Sequence, residues 1–190
     1  GHHITKDGYN IDLLEKLIKQ VQLQYNVQVY LEPGEACALN AGYLVSEVID
    51  ITKNGDVTNV ILDASAACHM PDVIEMPYVP PVLGAEAIEN HNALINCSVD
   101  DDLRENVKHG MVYRLGGPTC LSGDVIGDYC FEGLINMGNR VIFGDMAIYT
   151  MCKNNTFNGM PLPSIFSLKE NGDLEEISSF GYEDFKGRLS

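Results

Sequence analysis

The chain has 190 residues, enough for one domain or one domain plus part of another. Its hydrophobic fraction of 45% suffices for a packed core, and 27 acidic against 12 basic residues give a net charge of −15. That balance argues against a nucleic-acid partner, whose phosphates are held by clustered Lys and Arg. No run approaches ~18 apolar residues, so no membrane-spanning helix is expected.

Gly1-His2-His3 reads as the end of a native glycine-rich loop, with a purification-tag remnant as the alternative, because Ile4-Thr5 continues without a linker. Asn10 is a candidate N-cap. Ile11, Leu13, Leu14, Leu17, Ile18 and Val21 recur at helical spacing and predict a helix that finishes near Tyr25-Asn26. The apolar run Val27 to Leu31 reads as a buried parallel strand. It ends in Glu32-Pro33-Gly34-Glu35, two carboxylates flanking a turn. Loop, helix, buried strand and strand-end turn suggest that residues 1–36 are the last part of an α/β barrel of the TIM type, where chemistry sits at strand ends.

Residues 37–190 read as a second, β-rich domain. Gly42 to Thr52 and Val57 to Leu62 flank the hairpin signal Asn54-Gly55. Further short strands are predicted at Ala93 to Val99, Arg140 to Phe143, Ile165 to Leu168 and Leu174 to Ile177, the last pair joined at Asn171-Gly172. One helix is predicted after Asp124, through Tyr129, Phe131 and Leu134. Pro77, Pro80 and Pro81 exclude a regular central strand and predict a stiff surface or site-lining loop. The expected architecture is a β-barrel or sandwich.

Six cysteines, at 37, 68, 97, 120, 130 and 152, form no C-x-x-C pair and no disulfide-scaffold density. A reduced, cytoplasmic setting follows as the expectation. His2, His3, Cys68, His69 and His91 match no zinc spacing, so no metal is expected.

Three sequence blocks carry the chemistry: Glu32-Pro33-Gly34; Gly117-Pro118-Thr119-Cys120 with Ser122-Gly123-Asp124; and Asp145-Met146 through Tyr149-Thr150, followed by Thr156-Phe157-Asn158-Gly159. In this order they resemble the ornithine/diaminopimelate decarboxylase group, and within it the carboxynorspermidine (carboxyspermidine) branch. The resemblance covers essentially the whole chain but only about the C-terminal half of the family's length. It implies an alanine-racemase-like barrel followed by a β domain, and pyridoxal 5'-phosphate as cofactor.

The resemblance also assigns roles. Glu32 matches the acid that faces the cofactor's pyridine nitrogen, where a carboxylate favours the protonated, electron-withdrawing ring. Gly1 matches the last glycine of the phosphate loop, Gly34 a close approach of the backbone to the cofactor, and Tyr149 a hydroxyl near the phosphate. Cys120 matches a thiol that reaches into the neighbouring subunit's site and protonates carbon after carbon dioxide leaves, which implies a homodimer with shared sites. Asp124 matches a loop aspartate associated with a substrate amine, while Ser122 could merely support the turn. None of the eight lysines lies in a matching motif, so the lysine that anchors the family's cofactor is expected upstream, and this polypeptide alone is expected to be inactive.

Departures from the relatives set the substrate expectation. Glu35 stands where ornithine decarboxylases carry arginine. Met70-Pro71-Asp72-Val73-Ile74 replaces the Arg-Pro-x-x-Tyr pattern that holds a distal carboxylate in diaminopimelate decarboxylases, and Leu121 replaces their glutamate. The resemblance places Glu35 and Asp72 at substrate-binding positions, where charge-assisted hydrogen bonds would hold the amines of an extended polycationic amino acid. His69 and Glu75 are weaker candidates beside them. Diaminopimelate decarboxylase and a noncatalytic β-rich dimerisation module remain the competing readings.

Overall fold

The computed structural model of the protein describes residues 2–76, 78–88 and 111–189. Gly1, Pro77, His91, Cys97 and the strand expected at Ala93 to Val99 lie outside the described residues. Helix α1 spans Ile11–Tyr25, as its periodicity requires. The Asn10 side chain accepts from the Leu13 amide at 2.8 Å, and Asn26 ends the helix in the left-handed conformation, with φ of 49°. No residue of α1 is buried.

The segment 27–31 corrects the expectation of a buried strand. It pairs with nothing among the described residues, and Val27, Tyr30 and Leu31 are exposed. Apolar, β-branched composition alone does not make a strand, because cross-strand partners supply most of its stability. The turn expected at 32–35 is the entry to a short helix, α2 (Gly34–Ala38), with Pro33 at its N-cap.

The core belongs to one six-stranded sheet. Its strands are β1 (Leu44–Asn54), β2 (Val57–Leu62), β3 (Ala85–Ala87), β4 (Met111–Gly116), β5 (Val125–Phe131) and β6 (Arg140–Phe143), in the order β3-β5-β4-β2-β1-β6. Gly55 takes a φ of 59° in the β1–β2 hairpin, a conformation that favours glycine. Among the described residues only the β2–β4 pairing is parallel, with Val60 opposite Leu115. Val60, Leu62, Leu115, Tyr129 and Phe143 are wholly buried at the centre.

The sheet curls until one short segment touches both of its edges. Gly144 donates to the Pro81 carbonyl at 2.8 Å and Leu83 to the Ile142 carbonyl at 2.9 Å, beside β6. A few residues on, Ala85–Ala87 pairs with β5 at the other edge. The prolines therefore mark a seam: Pro80 is buried, and its carbonyl accepts the Tyr129 hydroxyl at 2.8 Å. A separate hairpin of β7 (Ile165–Leu168) and β8 (Leu174–Ser178) precedes a terminal helix, Tyr182–Leu189.

The helix expected after Asp124 is instead the strand β5. Both faces of β5 are covered, so Ile126, Gly127, Asp128 and Tyr129 are consecutively buried and no alternation announces a strand. Strand β4, which the pattern did not predict, carries a charge in mid-run. Arg114 lies opposite Asp128 in the β4–β5 register and makes two parallel 2.8 Å hydrogen bonds to its carboxylate.

Candidate active site

Strands β2 and β4 are neighbours and run the same way, so the segments that follow them leave the sheet side by side. After β2 come α3 (Ala66–His69) and α4 (Asp72–Glu75). After β4 comes the loop 117–124. The segment after β6 adds a helical turn, α5 (Tyr149–Cys152), and a 3-10 turn at Phe157–Gly159. These three segments carry His69, Asp72, Glu75, Cys120, Asp124 and Tyr149.

Asp124 joins the first two. It is buried, and its carboxylate accepts from the Ser65 hydroxyl at 2.9 Å, the Ala66 amide at 2.7 Å, the Thr119 hydroxyl at 2.6 Å and the Thr119 amide at 3.2 Å. An ionised carboxylate offers about four lone-pair sites, and those of Asp124 are taken within the chain. Its geometry serves the Cys120 loop rather than an open amine contact. Gly117 is required by the same approach: a Cβ there would stand 2.7 Å from the Ser65 Cα and closer still to the Asp124 carboxylate. Thr119, gripped through both amide and hydroxyl, leaves Cys120, Leu121 and Ser122 exposed at the tip.

The third segment closes against the first. Asn155 donates to the Ala67 carbonyl at 2.7 Å, and the buried Cys68 thiol reaches the Phe157 carbonyl at 3.5 Å. The Thr-Phe-Asn-Gly block thus lies beside the Cys120 loop, with the Cys120 Sγ 3.9 Å from Asn158 Oδ1. Among the described residues, the five cysteines at 37, 68, 120, 130 and 152 are free thiols.

His69 is a structural tie here. The Ser65 amide donates to Nδ1 at 3.0 Å, so that nitrogen is unprotonated, and Nε2 donates to the Pro161 carbonyl at 2.9 Å. Burial lowers its pKa from 6.5, with the Pro161 carbonyl, Asp63 and Asp124 pulling the other way. The unfolded imidazole therefore takes up a proton that the folded one refuses. Its contribution to stability is complete above pH 6.5 and is lost as pH falls below it, toward the depressed folded value. The melting temperature is expected to drop between about pH 7.5 and about pH 5.5. A His69→Gln variant, though less stable throughout, should show a flatter dependence; an unchanged slope would refute the assignment.

Asp72, Glu75, Tyr149 and Lys153 form one corner. The Lys153 ammonium donates to Asp72 at 2.6 Å and to Glu75 at 2.8 Å, and lies 4.9 Å from the centroid of the Tyr149 ring. Hydrogen bonds to Asp72 and then Glu75 push the lysine's pKa upward. Tyr78, which the sequence reading missed, lies in the field of Asp72 and of two further acids. Burial first, then Asp145, Glu35 and Asp72, pushes its phenol up to about 12. Glu35 and Asp72 thus share one electrostatic neighbourhood. The only sign of it in the sequence was an aromatic residue among prolines.

Glu32 is exposed on the extended segment before α2. Gly34 faces open space, where a Cβ would meet nothing within 4 Å. Tyr149 is exposed at the start of α5. All three are accessible, as groups that would meet a bound ligand must be. Among the described residues, no three His, Cys, Asp or Glu side chains converge as metal ligands, and no helix is long and apolar enough to cross a membrane.

Residues 9–147 match a family described as the pyridoxal-dependent decarboxylases, C-terminal sheet domain. The chain is 43% identical, over 99% of its length, to a carboxynorspermidine/carboxyspermidine decarboxylase of Campylobacter jejuni, and 38% identical over its full length to a carboxyaminopropylagmatine decarboxylase of Synechocystis. It spans 47% and 44% of those two proteins, about half the length of the curated relatives it matches. Among solved structures, the Campylobacter jejuni carboxynorspermidine decarboxylase complexed with norspermidine superposes with a TM-score of 0.79 at 39% identity, covering 98% of this chain and 48% of that one.

Proposed function

Because this chain belongs to the pyridoxal-dependent decarboxylases, through their C-terminal sheet domain, we propose that it is the C-terminal portion of an enzyme that decarboxylates carboxynorspermidine or carboxyspermidine in polyamine biosynthesis. Residues 1–36 are then the end of the α/β barrel and residues 37–190 the β domain. The enzyme is a cytoplasmic homodimer with shared sites. The observation that carries the substrate choice is the corner after β2. Met70 is wholly buried where a distal carboxylate would need a cation, and Asp72, just beyond it, belongs to an acidic neighbourhood with Glu35, Glu75 and Asp145. Diaminopimelate, with its second carboxylate, would meet repulsion there.

In this reading Gly1 and Tyr149 help to hold the phosphate of pyridoxal 5'-phosphate, Gly34 lets the backbone come close to the cofactor, and Glu32 meets the pyridine nitrogen. The bound cofactor supplies an electron sink for the charge left as carbon dioxide departs. Glu35 and Asp72 orient the substrate's amines. Cys120 delivers a proton to the carbon in the partner's site, and Asp124 contributes through the loop it holds.

The experiment is a substrate comparison on the full-length parent. It should release carbon dioxide from carboxynorspermidine and not from meso-diaminopimelate; the opposite preference would overturn the proposal. Cys120→Ala should lower kcat by roughly 10²–10⁴-fold, the range for a lost general acid, while cofactor binding is retained.

A further inference from the structure

We propose that Lys153 is a built-in counter-cation, a positioning residue that fixes Tyr149 and sets how much negative charge the substrate corner presents. This rests on the polyamine reading above. Its geometric basis is independent: one ammonium is shared by three groups from two segments about 80 residues apart.

Asp72 and Glu75 are the first and last residues of α4, so they lie on one face of a single turn. Tyr149 starts α5, and Lys153 is its C-cap, four residues on. The lysine side chain folds back over the ring and reaches both acids. Its three N–H groups suit two carboxylates and an aromatic face. The acid pair is thereby reduced from two net negative charges to one.

Two consequences oppose each other. The lysine competes with a substrate ammonium for Asp72 and Glu75, so it weakens capture of a polycation. It also holds the phenol that is to meet the cofactor's phosphate and cancels acidic charge that would repel that phosphate, so it strengthens cofactor binding. A residue that merely stabilised the fold would move both in the same direction when removed.

The test uses the full-length parent carrying Lys153→Met. The dissociation constant for pyridoxal 5'-phosphate should rise by about three- to fivefold, as for loss of a cation–π contact plus a weak ion pair. The KM for carboxynorspermidine, at saturating cofactor, should fall by a similar factor. Both shifts should shrink in high salt, and Lys153→Arg should restore wild-type behaviour. Lys153→Gln, which can still donate a hydrogen bond to the acids but carries no charge, should show the same opposed shifts and keeps the proposal testable if Lys153→Met fails to fold. Parallel loss of both affinities in Lys153→Met, or no change in either with an active wild type, would overturn the role of Lys153 alone. A wild-type parent inert toward carboxynorspermidine would instead remove the reading on which it rests.

Discussion

Replacing Asp124 with alanine is expected to destabilise the protein by roughly 3–5 kcal/mol. The Ala66 and Thr119 amides and the Ser65 and Thr119 hydroxyls would lose their acceptor together. Each buried donor left unpaired costs ~1–3 kcal/mol, and local relaxation recovers part of the sum. Asn should not rescue the site well, because its NH₂ would face donors. Urea unfolding of wild type and both variants measures the effect; a loss below about 1 kcal/mol would show that the donors find other partners. The loss should be felt at Cys120 as well. Its loop is tied to α3 through this carboxylate, so in the parent enzyme even a folded Asp124→Asn should lose kcat more than substrate affinity.

The second large effect is at the β4–β5 pair. Asp128 has no exposed side-chain surface and Arg114 little, and their two parallel bonds hold Arg114 above its ordinary pKa. Asp128→Leu should cost about 3–5 kcal/mol, because a guanidinium is left in the sheet without its counter-charge. The double replacement Arg114→Met with Asp128→Leu should cost much less than the sum of the single changes, since an apolar pair removes both charges at once. Thermal unfolding of the four proteins closes the cycle, and strict additivity would mean that the pair is not coupled.

The same ion pair explains where the sequence could and could not be read. Helix α1 was legible at both ends because its signals are local: a capping Asn10, six apolar residues at helical spacing, and a terminating Asn26. The β1–β2 and β7–β8 hairpins were legible for the same reason, their turns being written in Asn-Gly. Strands β4 and β5 were not. Their half-buried Arg114 and buried Asp128 look like surface residues until each is seen opposite the other. Val27 to Leu31 failed in the reverse sense, for a strand needs neighbours that composition cannot supply.

The site was legible in part. The position of Cys120 on an exposed loop follows from Gly117 and Thr119, and both lay in the block that carried the resemblance. Asp72 and Tyr149 both meet Lys153. Their link through Lys153 joins residues about 80 positions apart and leaves no periodic trace. Asp124 is the instructive case: its side chain turns inward to cap α3, a role set by Ser65 and Ala66, far away in the chain.

The order of the strands has a consequence for how the chain is made. Leu44 of β1 pairs with Phe143 of β6, about 100 residues later, and Val82 awaits the same phenylalanine. On the ribosome, β1 and β2 emerge as a ready hairpin whose outer side must wait for most of the domain to be synthesised. Long-range pairing of this kind slows folding and leaves an unpaired border open to wrong neighbours in the interval. The last stitch is the strip 81–87, which can fasten only when both β5 and β6 are present, so folding of this sheet ends where the sequence has its prolines.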